Sequence, residues 1–472
     1  MKIKNKKFLT SPSDLNNFVS CKYLIQNEIK FLYKEIKRNE ESIDQKLWKE
    51  FGIKHEKKHF DLLKKYYKKN ISIKQDLSEE ERNKKTLEAI NKGYDLIYHA
   101  YLIEGDFRGE ADFLIKVDTA SDLGNFSYEV YDTKVSRKPR PRHIYQITAY
   151  SSMLSKIQGI LPDKMYLIDG ADITHQYKPK EFIDFYNFTK KNFDKYLKNI
   201  TKEKIYPEKC SHCSVCDYTD ECEKIWTEDN YINQVAKINR SQVEKLKKVG
   251  INTVEKLASA NPEKIKVKIN KQALKDRISQ AQLQEEKRET GKSKYIILDP
   301  DKGKGFYKLP KPDEGDLFFD IEGYPQEDGR GFEYLHGLYF KGKKGMEFKY
   351  FWAKDFKKKY EQENFIELIN FFKDHFKKYP KAHIYHYNSY EKRSLRQLAS
   401  LFSSDFPEGS NFVDSLLRGE KFVDLFLIIN QCVRTTEKDM SLKTIEDVLY
   451  GFKRAADVKK AEDSVKLYDF WL

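Results

Sequence analysis

Long apolar runs are missing from this 472-residue chain, and no stretch approaches the length a helix needs to cross a bilayer. The basic start, Met1-Lys-Ile-Lys-Asn-Lys-Lys, is not followed by the apolar segment of a secretory leader, so none is expected. Cysteine is sparse, six residues in all, and in such a chain this argues for metal binding or catalysis rather than disulfides. Together these absences suggest a soluble, cytoplasmic protein with no membrane partner. Aromatic bulk is plentiful, with 31 Tyr and 31 Phe. The length suggests roughly two to four domains. The net charge of +14 is spread along the chain rather than gathered in a tail. It suits a polyanionic partner, nucleic acid above all, although a solvated lysine-rich surface would carry the same charge.

The densest chemistry lies between Gly109 and Tyr150. Phe126-Ser-Tyr-Glu-Val-Tyr-Asp132-Thr-Lys134 alternates as a strand does, and side chains two apart on a strand share a face. Asp132 and Lys134 therefore point at one site. Asp112, in Gly109-Glu-Ala-Asp112, opens the apolar run Phe113-Leu-Ile-Lys-Val, the expected neighbouring strand, which a hairpin turning near Gly105-Asp106 delivers. After Pro139 and Pro141 the pattern turns helical, which places Gln146 and Tyr150 on one helix face. Two carboxylates and an ammonium converging at a sheet suit metal-assisted phosphodiester hydrolysis. The carboxylates hold a hard cation that acidifies a bound water, and the ammonium steadies charge on phosphate. The order Gly-x-x-Asp, Asp-x-Lys, Gln-x-x-x-Tyr resembles the RecB-family nuclease motif, a branch of the restriction-endonuclease-like PD-(D/E)XK fold. The resemblance implies catalytic roles for Asp112, Asp132, Lys134, Gln146 and Tyr150. It also implies a metal-ligand role for a histidine on an early helix, which His55 matches in Gly52-Ile-Lys-His55-Glu56. His55 with Asp112 and Asp132 would suit Mg2+ or Mn2+; a lone His-Glu is otherwise an ordinary helix face.

Cys210-Ser-His-Cys213-Ser-Val-Cys216-Asp-Tyr-Thr-Asp-Glu-Cys222 is the most specific local pattern. On spacing alone it fits either four thiolates on zinc or an iron–sulfur cluster. Iron–sulfur members of the RecB-like family, AddB-like and CRISPR-associated nucleases among them, use one cysteine before the nuclease core and three after it. That resemblance implies a [4Fe–4S] cluster on Cys21, Cys213, Cys216 and Cys222, with Cys210 in place of Cys21, or zinc, as the alternative. Cys21 follows a helix expected from Ser11-Pro12-Ser13-Asp14, in which Ser11 caps, Pro12 fits the first turn and Asp14 completes a capping box. The cluster would staple this helix to the far end of the domain, where little else is expected to hold it. Residues 70–90 read as weakly helical and residues 173–200 as helical.

Beyond the cysteines, Ser241 and Thr253 are placed to cap two short helices about a turn at Gly250, which resembles a helix-hairpin-helix unit. Residues 264–288 read as a charged helix and residues 291–312, rich in Lys, Gly and Pro, as a linker. Next, Gly315-Asp-Leu-Phe-Phe-Asp320-Ile-Glu322 is an apolar strand ending in Asp-x-Glu. Further strands are expected at 333–340, 347–352, 383–387 and 422–424, with a helix at 364–376. This order resembles RNase H-like, DnaQ-type exonucleases. There Asp320 and Glu322 would bind metal, Glu391 in Asn388-Ser-Tyr-Glu391 would add a third acid, and Asp424 would support. Such enzymes need a fourth acid on a late helix, and the chain is expected to stop before it.

The expected organisation is α/β: a PD-(D/E)XK nuclease domain over 1–226, a helical hairpin connector over 227–290, a linker over 291–312, and an RNase H-like mixed-sheet domain over 313–472, incomplete at its C-terminal end. The expected function is a metal-dependent deoxyribonuclease, an exonuclease on single-stranded ends in DNA repair or processing, with a helicase in cis or in trans as a partner. The alternatives are a non-catalytic nucleic-acid adaptor for a helicase, or a 3'–5' exoribonuclease acting through the C-terminal domain.

Overall fold

A computed structural model describes residues 1–136, 138–200, 205–299, 301–324, 331–343, 345–452, 464, 465, 467, 468 and 471. The chain divides into two units, Met1–Cys222 and Glu223–Tyr324 with Gly331–Leu472.

In the first unit the alternating runs form a six-stranded mixed sheet. Its order is Asn70–Ser72, Leu96–Glu104, Phe107–Val117, Ser127–Thr133, Met165–Ile168, Thr174–Tyr177. The hairpin turns at Gly105, whose φ of +61° suits a residue without Cβ. Helix Pro141–Gln158 lays Ile147, Ala149 and Leu154 on the core with Leu102, Leu114, Val130 and Leu167, all wholly buried. Each of the Leu, Ile and Val side chains contributes roughly 1.5–3 kcal/mol by leaving water. The first helix, Pro12–Ser20, has the expected cap: Ser11 accepts from the Asp14 amide, and Asp14 accepts in return from the Ser11 amide.

Several details differ from the sequence reading. Residues Thr174–Tyr177 are an edge strand and only Ile183–Lys198 is an α-helix, because a four-residue strand gives too short an alternation to stand out. Residues 70–90 likewise divide into strand Asn70–Ser72 and helix Glu79–Asn91. Cys21 lies in the break between two helices, as the C-cap of one and the N-cap of Lys22–Leu32. Hydrogen bonds tie the early part of this unit to its far end. Arg38 donates to the hydroxyl of the buried Tyr218 at 2.9 Å and to Glu28 at 2.7 Å, and the Asn39 amide donates to the Asp217 carbonyl at 2.7 Å.

In the second unit Asn239, not Ser241, caps helix Arg240–Lys247, because the helix begins two residues earlier than expected. Thr253 caps Val254–Ala258 as expected, and the charged helix runs Lys271–Thr290. The stretch expected as linker is structured in part: Tyr295–Ile297 pairs antiparallel with Val433–Thr435. The main sheet has five strands, ordered Gly345–Trp352, Phe332–Gly342, Leu317–Tyr324, Ile384–His386, Phe422–Asp424. The first three are antiparallel and the last two join in parallel. Helices Lys358–Lys378, Tyr390–Leu401 and Pro407–Arg418 supply Phe365, Phe372, Leu395 and Val413 to its core. Ser464, Val465, Leu467, Tyr468 and Trp471 are helical, and Tyr468 is buried, donating to the Ala353 carbonyl at 2.8 Å. The acids of that segment lie outside the described residues. No helix among the described residues is long and apolar enough to cross a membrane.

Candidate active sites

Strand register brings the first site together. Asp112 comes from Phe107–Val117 and Asp132 from the adjacent Ser127–Thr133, while Lys134 follows directly, its amide donating to the Ile168 carbonyl at 2.9 Å. Asp112 Oδ2 accepts from both the amide and the hydroxyl of Thr133, each at 2.7 Å, which fixes its rotamer. Lys134 Nζ donates to Asp132 Oδ2. Asp132 is wholly buried, and its Oδ1 has no donor among the described residues. Burial first, then the Asp112 charge, pushes the Asp132 carboxyl up to about 7 against the pull of Lys134. For Lys134 burial is the largest effect and pulls downward, but Asp132 and Asp112 outweigh it and hold the ammonium above its ordinary range.

Gln146 donates to the Tyr150 hydroxyl at 2.8 Å, and the buried Tyr150 lies within the field of Asp132 and Asp112. Gly109 explains why the motif needs a residue with no side chain. A Cβ there would stand 2.6 Å from the Tyr150 ring, so only glycine lets the ring lie against the strand.

Two further residues join this cluster that sequence reasoning did not assign. Glu56, on helix Ile43–Tyr66, lies within the field of Asp112, Asp132 and Lys134, and burial followed by Asp112 raises its carboxyl. His99 Nε2 bonds Glu56 Oε1 at 2.6 Å. His99 stands between Tyr98 and Ala100, which pair with Phe113 and Ala111 on either side of Asp112, and its φ is +58°. A non-glycine residue held there is strained, and such strain gathers at functional sites. The only signal for Glu56 was its place beside His55. His99 had none, because its role depends on cross-strand register.

His55 itself meets a different pair. It lies one residue before Glu56, about 100° round the helix, and its Nδ1 is 3.9 Å from Asp172 Oδ1 while its ring packs on His59. Burial and His59 hold it below the usual imidazole range.

The cysteines gather as a group of five. Cys21, Cys210, Cys213, Cys216 and Cys222 are all half-buried, and Cys210 Sγ lies 3.9 Å from Cys213 Sγ. Burial and the neighbouring sulfurs raise Cys213 to about 11 and Cys222 to about 12, and Cys21 and Cys216 are raised as well. The sulfurs are not drawn into one tight ligand set. Among the described residues, the group whose donor atoms all lie within 4.8 Å of one another is His55, His59 and Asp172.

In the second unit Asp320 and Glu322 sit two apart on the central strand, Asp320 exposed and Glu322 half-buried. Burial, then Asp320 and Glu333, push the Glu322 carboxyl up to about 7. Glu333 is itself buried and accepts from the Tyr390 hydroxyl at 3.0 Å. Glu391 is buried beside His386, 3.3 Å from its Nδ1, and Asp424 accepts from the amides of Asn388 and Leu427, each at 3.1 Å. Sequence reasoning named Glu391 as the third acid and passed over Glu333, whose approach depends on strand register: Glu333 pairs with Gly323, beside a bulge after Glu322.

A strand order of three antiparallel and two parallel members, with paired acids on the central strand, defines an RNase H-like domain. A family described as the RNase_H superfamily matches residues 317–472. None of the curated proteins matches the chain. The match covers the second unit's sheet and points to nuclease-type, nucleic-acid-directed chemistry of the kind that commonly employs Mg2+ or Mn2+.

Proposed function

We propose that the first unit is a RecB-like, PD-(D/E)XK nuclease that hydrolyses DNA, as an exonuclease on single-stranded ends, in DNA repair or processing. The observation that carries this reading is the convergence of Asp112, Asp132 and Lys134 around the buried, donorless Asp132 Oδ1. An acceptor sealed from water without a partner is costly, and a cation or a proton relieves it. The donor set fits a hard divalent cation, Mg2+ or Mn2+, held by Asp112 and Asp132 with Glu56 beside them. When bound, the ion supplies an acidified water and neutralises phosphate charge. Asp132 gives up its proton as the site loads. Thr133 keeps Asp112 pointing inward. Lys134 orients the attacking water or meets charge developing on a non-bridging oxygen. Tyr150 and Gln146 form a fixed wall that positions Lys134 and the substrate. Lys134→Ala is expected to abolish magnesium- or manganese-dependent degradation of labelled single-stranded DNA with the fold retained; undiminished cleavage would refute the assignment.

The half-buried thiols support a metal cluster in the same unit. We place a [4Fe–4S] cluster on Cys21, Cys213, Cys216 and Cys222, with zinc or Cys210 as the alternatives. The raised thiols are protonated when no metal is bound, so loading a cluster would release protons. Brown, anaerobically purified protein with about four irons per chain would support this, whereas colourless protein rich in zinc would replace it.

A second reading rests on the acids of the RNase H-like domain: an exoribonuclease built on Asp320 and Glu322. Asp320→Asn separates the two readings, because it should spare DNA cleavage and remove RNA cleavage. A salt-dependent binder with no metal-stimulated cleavage would favour an adaptor for a helicase.

A further inference from the structure

We propose that His55, His59 and Asp172 form a separate transition-metal site, best suited to zinc, that pins helix Ile43–Tyr66 to the turn after strand Met165–Ile168. The buried stripe of that helix runs Phe51, His55, His59 at four-residue spacing. Two histidines therefore occupy positions where an apolar side chain would serve packing better. Their rings meet edge to face with centroids 4.6 Å apart.

Asp172 approaches from the other side. Its Oδ1 stands 2.9 Å from His59 Nε2 and 3.9 Å from His55 Nδ1. Donors on one tetrahedral ion with bonds of about 2.0–2.1 Å stand about 3.4 Å apart, and the two observed distances bracket that value. Lys58 holds the other carboxylate oxygen at 2.6 Å, which leaves Oδ1 for the ion.

The turn is built to hold Asp172 in place. Asp169 Oδ1 accepts from the amides of Ala171 and Ile173 at 2.9 and 3.0 Å, and the Asp172 amide donates to the Asp169 carbonyl at 3.0 Å. Asp172 itself sits at φ +62°, a conformation that costs free energy and persists only where its surroundings fix it. Two imidazoles and one carboxylate with an open fourth position form a borderline-soft donor set, which favours zinc over magnesium. Because Glu56 follows His55, an ion here would also hold Glu56 against Asp112 and Asp132.

The test is a zinc titration of the full-length chain by calorimetry in excess magnesium, with bound metal counted by elemental analysis. Wild type is expected to hold one more zinc per chain than Asp172→Asn and His59→Gln, with affinity at the lost site down by at least about 100-fold. Asn tolerates the same backbone conformation, so Asp172→Asn keeps the turn and decides the matter if His59→Gln fails to fold. Equal zinc counts in wild type and a folded Asp172→Asn would overturn the site. The count does not depend on whether the chain cuts nucleic acid.

Discussion

The two units each carry a carboxyl raised to about 7, but they reach that state by different routes. Asp132 is sealed from water, repelled by Asp112 and held by Lys134. Glu322 is half-buried, and burial first, then the negative charges of Asp320 and Glu333, push it up. The first site has a built-in cation that offsets part of the repulsion when no metal is bound. In the second, burial and two neighbouring acids act on Glu322 in the same direction. The lysine beside Asp132 is thus the feature of the first site whose removal tests the comparison.

The sharpest way to break this comparison is Lys134→Ala. Removing a positioned charge from a buried site should lower single-stranded DNA cleavage by about 10²–10³-fold or more, while Asp320→Asn leaves that rate unchanged. Equal losses from the two variants, measured on end-labelled oligonucleotides, would merge the sites.

Proton linkage comes next. An aspartate raised from about 3.9 unfolded to about 7 folded binds its proton more tightly in the native state. Its contribution to stability is full below the unfolded value and is lost as pH rises through about 7. With a chelator present, Tm should therefore fall between about pH 4 and pH 7, and saturating magnesium should reverse the fall. Asp132→Asn and Glu322→Gln should each remove part of this slope over the same pH range. The same proton must leave before the site loads, so cleavage should rise with pH up to about 7.

The smallest effect is steric. Gly109→Ala sets a methyl 2.6 Å from the Tyr150 ring. It should cost about 1–3 kcal/mol of stability, read as a lower Tm, and slow cleavage less than Lys134→Ala does.

Much of this was legible in the sequence, because the telling features are local. Alternation placed Asp132 and Lys134 on one side, the turn at Gly105 delivered Asp112, and helical spacing joined Gln146 to Tyr150. The Asp-x-Glu strand was legible for the same reason. Long-range geometry was not. Glu56 and His99 meet only because a helix crosses two strands, and the Gly109–Tyr150 contact needs sheet and helix together. His55 shows the limit most clearly. Its spacing to Glu56 could be read, but not which of the two faces the carboxylates; the fold sets Glu56 beside Asp112 and His55 beside Asp172. The short strand at Thr174–Tyr177 was missed because four residues carry too little periodicity.

The claim that everything else depends on is that Asp112, Asp132 and Glu56 share one cation. Manganese bound per chain, counted by electron paramagnetic resonance, tests it in protein whose second site is silenced by Asp320→Asn and Glu322→Gln. Adding Asp112→Asn or Glu56→Gln to that background should each remove or severely weaken the same single manganese. If bound manganese is unchanged by either substitution in folded protein, those side chains do not meet around one ion and the nuclease assignment of the first unit fails.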